Sequence, residues 1–197
     1  MEIREVTVGI VQTCCYIVGP EGGKECLVID PGDEAERIRK AAGDRRIAGI
    51  LLTHGHFDHI GAVRELVNAE SGTQHSEFPE GPKIVIHKLD APMLGDPVLN
   101  AGMGLLQQAI TAPEPTDTVK EGDELRIAGL TVKVLHTPGH TPGSVCYEIE
   151  GELFTGDTLF EHGWGRTDLP GGDEGQMMRS LRRLIPMIQT MPFHAGH

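Results

Sequence analysis

The run Thr53-His54-Gly55-His56-Phe57-Asp58-His59, directly behind the apolar stretch 47–52, constrains this chain more than any other feature. Four metal-competent side chains fall within six positions. On a strand, His54, His56 and Asp58 would share one face while His59 pointed away. On a helix, His54 would stand over Asp58 with His56 turned aside. Neither regular period gathers all four. A strand that ends at Thr53 and turns through Gly55 into a helix starting near Ile60 can gather them, which makes this a loop site at the carboxyl edge of a sheet. Neutral imidazole and carboxylate suit a borderline or hard divalent ion such as zinc, iron or manganese, and none of the four is a thiolate. The plain alternative is a solvated turn that happens to be rich in histidine, and the density of the cluster argues against it.

At 197 residues the chain fits one sizeable domain with a real core and leaves no room for a second of ordinary size. A formal net charge of -12 disfavours nucleic acid as the main partner, because phosphate binding needs a positive field. Residues 1–9 alternate polar and apolar, with no cationic start followed by a long apolar core, so they are expected to form a first strand rather than an export signal. No run approaches a membrane span. Cys14, Cys15, Cys26 and Cys146 contain no CxxC pair and are expected to be reduced core thiols without chemistry, in a cytoplasmic protein.

Residues 6–11, 14–18 and 26–29 read as successive strands, with breaks at Gly19, Pro20, Gly22 and Gly23. A turn at Asp30-Pro31-Gly32 leads to an amphipathic helix over 34–42, a buried strand over 47–53 and a helix over 60–69, an α/β order. Asp30 serves equally as a turn former or as a group that orients a histidine. Residues 71–82 read as a surface loop with a solvated His75, and 84–87 as a short strand. The weakly charged segment 98–111 is expected to be a helix packed on the core, with a lid over a pocket as the other option. Two hairpins, 124–127 with 131–135 and 145–149 with 152–155, precede a helix over 173–191 broken near Pro186.

Three later motifs repeat the pattern of His or Asp at a strand end. They are His136-Thr137-Pro138-Gly139-His140-Thr141-Pro142-Gly143-Ser144, then Thr155-Gly156-Asp157, and the closing His194-Ala195-Gly196-His197. Together with His54, His56, Asp58, His59 and the stretch Gly165-Arg166-Thr167-Asp168, these motifs make the sequence resemble the metallo-β-lactamase superfamily, and within it the glyoxalase II-like hydrolases. They span nearly the whole chain in the expected order.

The resemblance implies a four-layer αβ/βα sandwich and two divalent metal ions, zinc first, with iron or manganese as the other choices. By position, His54, His56 and His140 would hold one ion, Asp58, His59 and His197 the second, and Asp157 would bridge them. Arg166 matches a substrate-contacting position, with an ion pair to Asp168 or Asp173 as the alternative. His87, His136, His162 and His194 are expected to pack or to support other residues. In the family the last histidine is normally followed by Gly and a further segment, so the domain, 1–197, is expected to lack its extreme carboxyl-terminal piece. The separate helical domain of larger glyoxalase II enzymes is not expected within these residues either.

The implied activity is hydrolysis of a small-molecule thioester such as S-lactoylglutathione by a metal-bridging hydroxide, with Asp58 orienting it. A thiolate leaves without a strong general acid, its parent thiol having a pKa of about 8.5. Alternatives are a mononuclear-iron persulfide dioxygenase, a lactonase or a non-catalytic metal-binding regulatory protein. A β-lactamase is less well matched, since Asp157 stands where many place cysteine; a nuclease would carry a more basic surface; a diiron flavoprotein would usually have Glu in place of His56.

Overall fold

The computed structural model describes residues 1–71 and 81–197, so the expected loop around His75 lies mostly outside the described residues. Eleven strands form two mixed sheets among the described residues. The first is six-stranded, in the order β1 (Glu2–Val8), β2 (Thr13–Gly19), β3 (Glu25–Ile29), β4 (Arg46–Leu51), β5 (Lys83–His87), β6 (Asp117–Val119). It is antiparallel as far as β3 and parallel from there on. The second runs β11 (Phe193–Ala195), β10 (Glu152–Gly156), β9 (Val145–Ile149), β8 (Leu130–His136), β7 (Glu124–Ile127), with only β11 parallel to its neighbour.

Strand alternation builds the layers. In β2, Cys15 and Ile17 face outward to join Ile38 of α1 (Ala35–Ala42) and Leu66 of α3 (Val63–Ser71), while Tyr16 and Val18 face the second sheet. The second sheet turns Val132, Tyr147 and Phe154 inward, and it buries Cys146 and Leu153 against Met177 and Leu181 of α5 (Glu174–Leu184). Helices cover both outer faces, which is the expected αβ/βα sandwich. A bulge opposite Cys26 and Leu27 puts one extra residue, Ala48, into β4, so Ile47 and Ile50 both face the helices.

Several expected boundaries move. The first strand ends at Val8 rather than at residue 11, because Gly9 takes the left-handed conformation, φ 71°, and opens a turn through Gln12. The helix expected over 60–69 is two pieces, α2 (Phe57–Ile60) and α3, separated at Gly61. A Cβ at Gly61 would lie 2.2 Å from the Gly32 carbonyl, so the close approach of the 30–32 turn fixes that break. The core-packed helix expected over 98–111 is not formed: only Gly102–Leu105 (α4) is helical, flanked by left-handed Ala101 and Gln107, with Val98, Met103 and Leu105 exposed. β6 and β11 were not legible in the sequence. α5 stops before Pro186, where a break was expected, but 185–190 are turns instead of the expected continuation to 191; at its start Asp173 Oδ1 accepts from the Gln176 amide at 2.7 Å.

Candidate metal centre

Parallel β3 and β4 end side by side, and their carboxyl ends build the floor of the site. Asp30, one residue past β3, accepts from the Thr53 amide at 2.8 Å and from its hydroxyl at 2.6 Å. Its Oδ2 also lies 3.0 Å from His59 Nδ1. Asp30 therefore does more than form a turn: it orients the loop and one of its histidines. Because the Thr53 hydroxyl gives its proton to Asp30, its oxygen is left to accept from His54 Nδ1, 3.1 Å away. His54 Nε2 then carries a lone pair, and it is buried with no hydrogen-bond partner.

The same logic holds at the other sheet. His140, in the turn after β8, donates Nδ1–H to the Arg166 carbonyl at 2.7 Å, and His197 donates Nδ1–H to the Val11 carbonyl at 3.1 Å. His140 thereby presents an unprotonated Nε2 to the interior, while the carboxylates of Asp58 and Asp157 beside His197 Nε2 raise that ring in spite of its burial. His140 Nε2 faces His56 Nδ1 at 2.8 Å and Asp157 Oδ2 at 3.5 Å. His59 Nε2 lies 3.3 Å from Asp157 Oδ1 and 3.5 Å from Asp58 Oδ2. His197 Nε2 reaches Asp58 Oδ2 at 3.4 Å and Asp157 Oδ2 at 3.6 Å.

The seven residues expected to bind metal are thus brought together: His54, His56 and His140 form one group and Asp58, His59 and His197 another, the donor atoms within each lying within 4.8 Å of one another, with Asp157 beside both; Asp30, His54 and His59 form a third group of the same kind. Four of the histidines are buried, whereas Asp58 and His197 keep an exposed edge toward solvent. Burial holds His54 well below the ordinary imidazole range and His56 down to about 3, and it also lowers His140 against the pull of Asp157. Burial would raise Asp58 and Asp157, but neighbouring imidazoles, His59 foremost, keep both carboxyls low. His59 moves upward in spite of its burial because Asp58, Asp157 and Asp30 surround it. Neutral imidazoles, ionised carboxylates and unpartnered buried lone pairs fit metal ions.

Asp90 was missed by the sequence analysis. Fully buried, it accepts from the Gly55 amide at 3.1 Å, the Thr141 hydroxyl at 2.6 Å and the Gly143 amide at 2.7 Å. One carboxylate thus ties the His54–His56 loop to the His140 turn. Its sequence signal was a lone carboxylate three residues past the apolar strand 84–87. Arg166 sits at the rim of the cleft, its guanidinium forked onto Asp168 at 2.6 and 2.7 Å. His87 stacks on His136 with ring centroids 4.2 Å apart, and His194 pairs with Glu152 at 3.0 Å, in the supporting roles expected of them. His162 is exposed instead, out in the turn after β10.

A hydroxyacylglutathione hydrolase, GloC, of Haemophilus influenzae is 35% identical, the match covering 100% of this chain and 91% of that protein. The crystal structure of the B3 metallo-beta-lactamase BLEG-1 is 34% identical with a TM-score of 0.88, covering 100% of this chain and 91% of that one. TTHA1623, solved in a di-iron-bound form, is 36% identical with a TM-score of 0.81, covering 98% and 91%. The model of the metallo-beta-lactamase superfamily matches residues 8–187. On its sequence, its two-sheet architecture and this cluster of His and Asp donors, the chain belongs to the metallo-beta-lactamase superfamily.

Proposed function

We propose that this chain is a dinuclear metal-dependent hydrolase of the glyoxalase II type, cleaving thioesters of which S-lactoylglutathione is one. The observation that carries this reading is the position of Asp157, whose two oxygens border both donor groups: His140 on one side, His59 and His197 on the other. His54, His56 and His140 would hold one ion, and Asp58, His59 and His197 the other, with Asp157 between them. Imidazole and carboxylate donors suit zinc, with iron or manganese as further candidates. When bound, a pair of divalent ions supplies Lewis acidity, lowering the pKa of a shared water toward neutrality and polarising an acyl carbonyl.

The chain's own residues supply the rest. His54, His56 and His140, kept neutral by burial, offer lone pairs and add no competing positive charge. Asp58, ionised and open on one edge, accepts a hydrogen bond from the attacking water at Oδ2 and so aims the oxygen lone pair at the acyl carbon. Thr13 Oγ1, 3.3 Å from that oxygen, keeps it in place. The thiol half of the substrate leaves as thiolate, so no strong acid is required on its side. Arg166 stands at the rim, where an anionic group of a substrate could meet it. A cytoplasmic setting accords with four free cysteines, and a small acyl compound rather than a nucleic acid or a membrane suits the acidic chain; no helix among the described residues is long and apolar enough to cross a membrane.

The test is elemental analysis of protein purified without added metal, followed by a thioester panel that includes S-lactoylglutathione. Near two zinc, iron or manganese ions per chain together with thioester hydrolysis is the expected result. Failure of the metal-replete protein to hydrolyse any thioester would overturn the reading, and one iron per chain with oxygen uptake on a persulfide would replace it with sulfur dioxygenase chemistry.

A further inference from the structure

The groups that would hold the two ions are supported by different parts of the fold. His54 takes its orientation from Thr53 Oγ1 and His140 from the Arg166 carbonyl, while Asp90 ties together the two turns that carry His56 and His140. None of those bonds comes from β2. Asp58 and His197, by contrast, lean on β2 and on the turn that leads into it. Val11 O accepts from His197 Nδ1 at 3.1 Å, and Thr13 Oγ1 donates to Asp58 Oδ2 at 3.3 Å. The Cys14 amide donates to Gly196 O at 2.8 Å, and the Tyr16 hydroxyl donates to Ala195 O at 2.6 Å. Residues 11–16 thus converge on Asp58 and on the segment 195–197.

Strand geometry accounts for the convergence. Side chains alternate along β2, so Thr13 reaches the helix side, where Asp58 sits in the first turn of α2, and Tyr16 reaches the second sheet. β3 pairs with β2 over Tyr16–Val18, so Cys14 lies past the end of that ladder and its amide takes Gly196 O instead. Tyr16 constrains the segment most. It is buried, with the rings of Phe154 and His194 edge-on to its own, each centroid 5.4 Å away, so its hydroxyl is delivered from a ring with no room to swing. The residues it holds have few other ties. β11 is three residues long, its ladder to β10 shifts register between Phe154 and Gly156, and beyond Ala195 the tie to the second sheet is the Gly196 amide, bonded to Gly156 O at 2.9 Å.

We infer that Tyr16 is a positioning residue for the second metal ion alone: by fixing Ala195 it sets where His197 stands against Asp58 and Asp157, and it leaves the site of His54, His56 and His140 unaffected. This rests on the two-metal reading above and goes beyond it, because it makes the two sites separable through a side chain that would touch neither ion.

Metal-free protein is titrated with zinc against a chromogenic chelator, which reads two stepwise affinities without reference to turnover. Tyr16→Phe removes the hydroxyl and keeps the ring. It is expected to weaken one ion roughly tenfold, the lower end of what loss of a ligand-orienting contact costs, with the other ion within about twofold of wild type. Thr13→Val, which removes the bond to Asp58 Oδ2 and keeps the shape, is expected to weaken the same ion. His197→Ala leaves the first site to be read by itself, and adding Tyr16→Phe to it is expected to change nothing further. Ile38→Val, a buried change in the helix layer away from the centre, controls for lost stability and is expected to leave both affinities as in wild type. Equal weakening of both ions in Tyr16→Phe, two unchanged affinities, or a further loss from Tyr16→Phe in the His197→Ala background would overturn the inference and leave the two-metal reading intact. A single zinc ion bound per wild-type chain would instead overturn the two-metal reading, and the inference with it.

Discussion

His56 Nδ1 and His140 Nε2 face each other at 2.8 Å, one carried on the loop after β4 and the other on the turn between β8 and β9. The two sheets thus meet chemically at this pair. Both rings are held neutral by burial, so one nitrogen of the pair donates to the lone pair of the other, and a shared cation would take the place of that hydrogen. His56→Ala and His140→Ala are each expected to lower metal content below the wild-type ratio and to reduce thioester turnover by at least about a hundredfold, with far-UV circular dichroism retained. Unchanged turnover in either variant would remove that residue from the centre.

Asp30 is sealed beneath the loop, with Thr53 N, Thr53 Oγ1 and His59 Nδ1 within 3.0 Å of its carboxylate. Truncation leaves those groups buried and unpaired. Asp30→Ala is expected to cost about 3–5 kcal/mol in urea unfolding and roughly 10- to 100-fold in metal affinity. Asp30→Asn, which keeps the shape, should lose less stability than affinity.

Burial raises the Asp90 carboxyl to about 6, above its unfolded value near 4, in spite of its three donors. The folded protein thus holds this proton more tightly than the unfolded chain, so the group's contribution to stability is complete below about pH 4 and is lost as pH rises through about 6. The difference in unfolding free energy between wild type and Asp90→Asn is expected to change by about 2–3 kcal/mol from pH 4 to pH 7, in favour of the variant at the higher pH. A pH-independent difference would show that the carboxyl titrates normally.

Gly196 lies against the centre so closely that an added Cβ would stand 2.3 Å from Asp157 Oδ1 and 3.1 Å from His59 Cε1. Gly196→Ala is expected to displace the carboxylate and lower metal stoichiometry on the His59 and His197 side, while His54, His56 and His140 keep theirs. Isothermal titration of the metal-free variant should show one strong site where wild type shows two.

A control away from the centre is the amino-terminal cap of α5. Asp173→Ala removes the 2.7 Å bond to the Gln176 amide and is expected to cost about 1 kcal/mol of stability, with metal content and turnover untouched.

The sequence by itself showed imidazoles and carboxylates gathered around glycine turns at strand ends, and the resemblance of those motifs to one family picked out the seven side chains that the fold brings together. It also determined most of the strands and the α/β order, since period-two alternation and Gly or Pro breaks are local signals. Only the tertiary structure decided that Asp30 orients His59 and that Asp90 clamps two loops, as these contacts join residues 23 to 53 positions apart. β6 and β11 are three residues long and parallel to distant partners, so their identity comes from the neighbouring strand edge rather than from their own residues. The segment after Pro97 misled for the converse reason. Its composition suits a helix, but Gly102, Gly104 and two left-handed residues leave it irregular beside the cleft, a choice made by packing rather than by propensity.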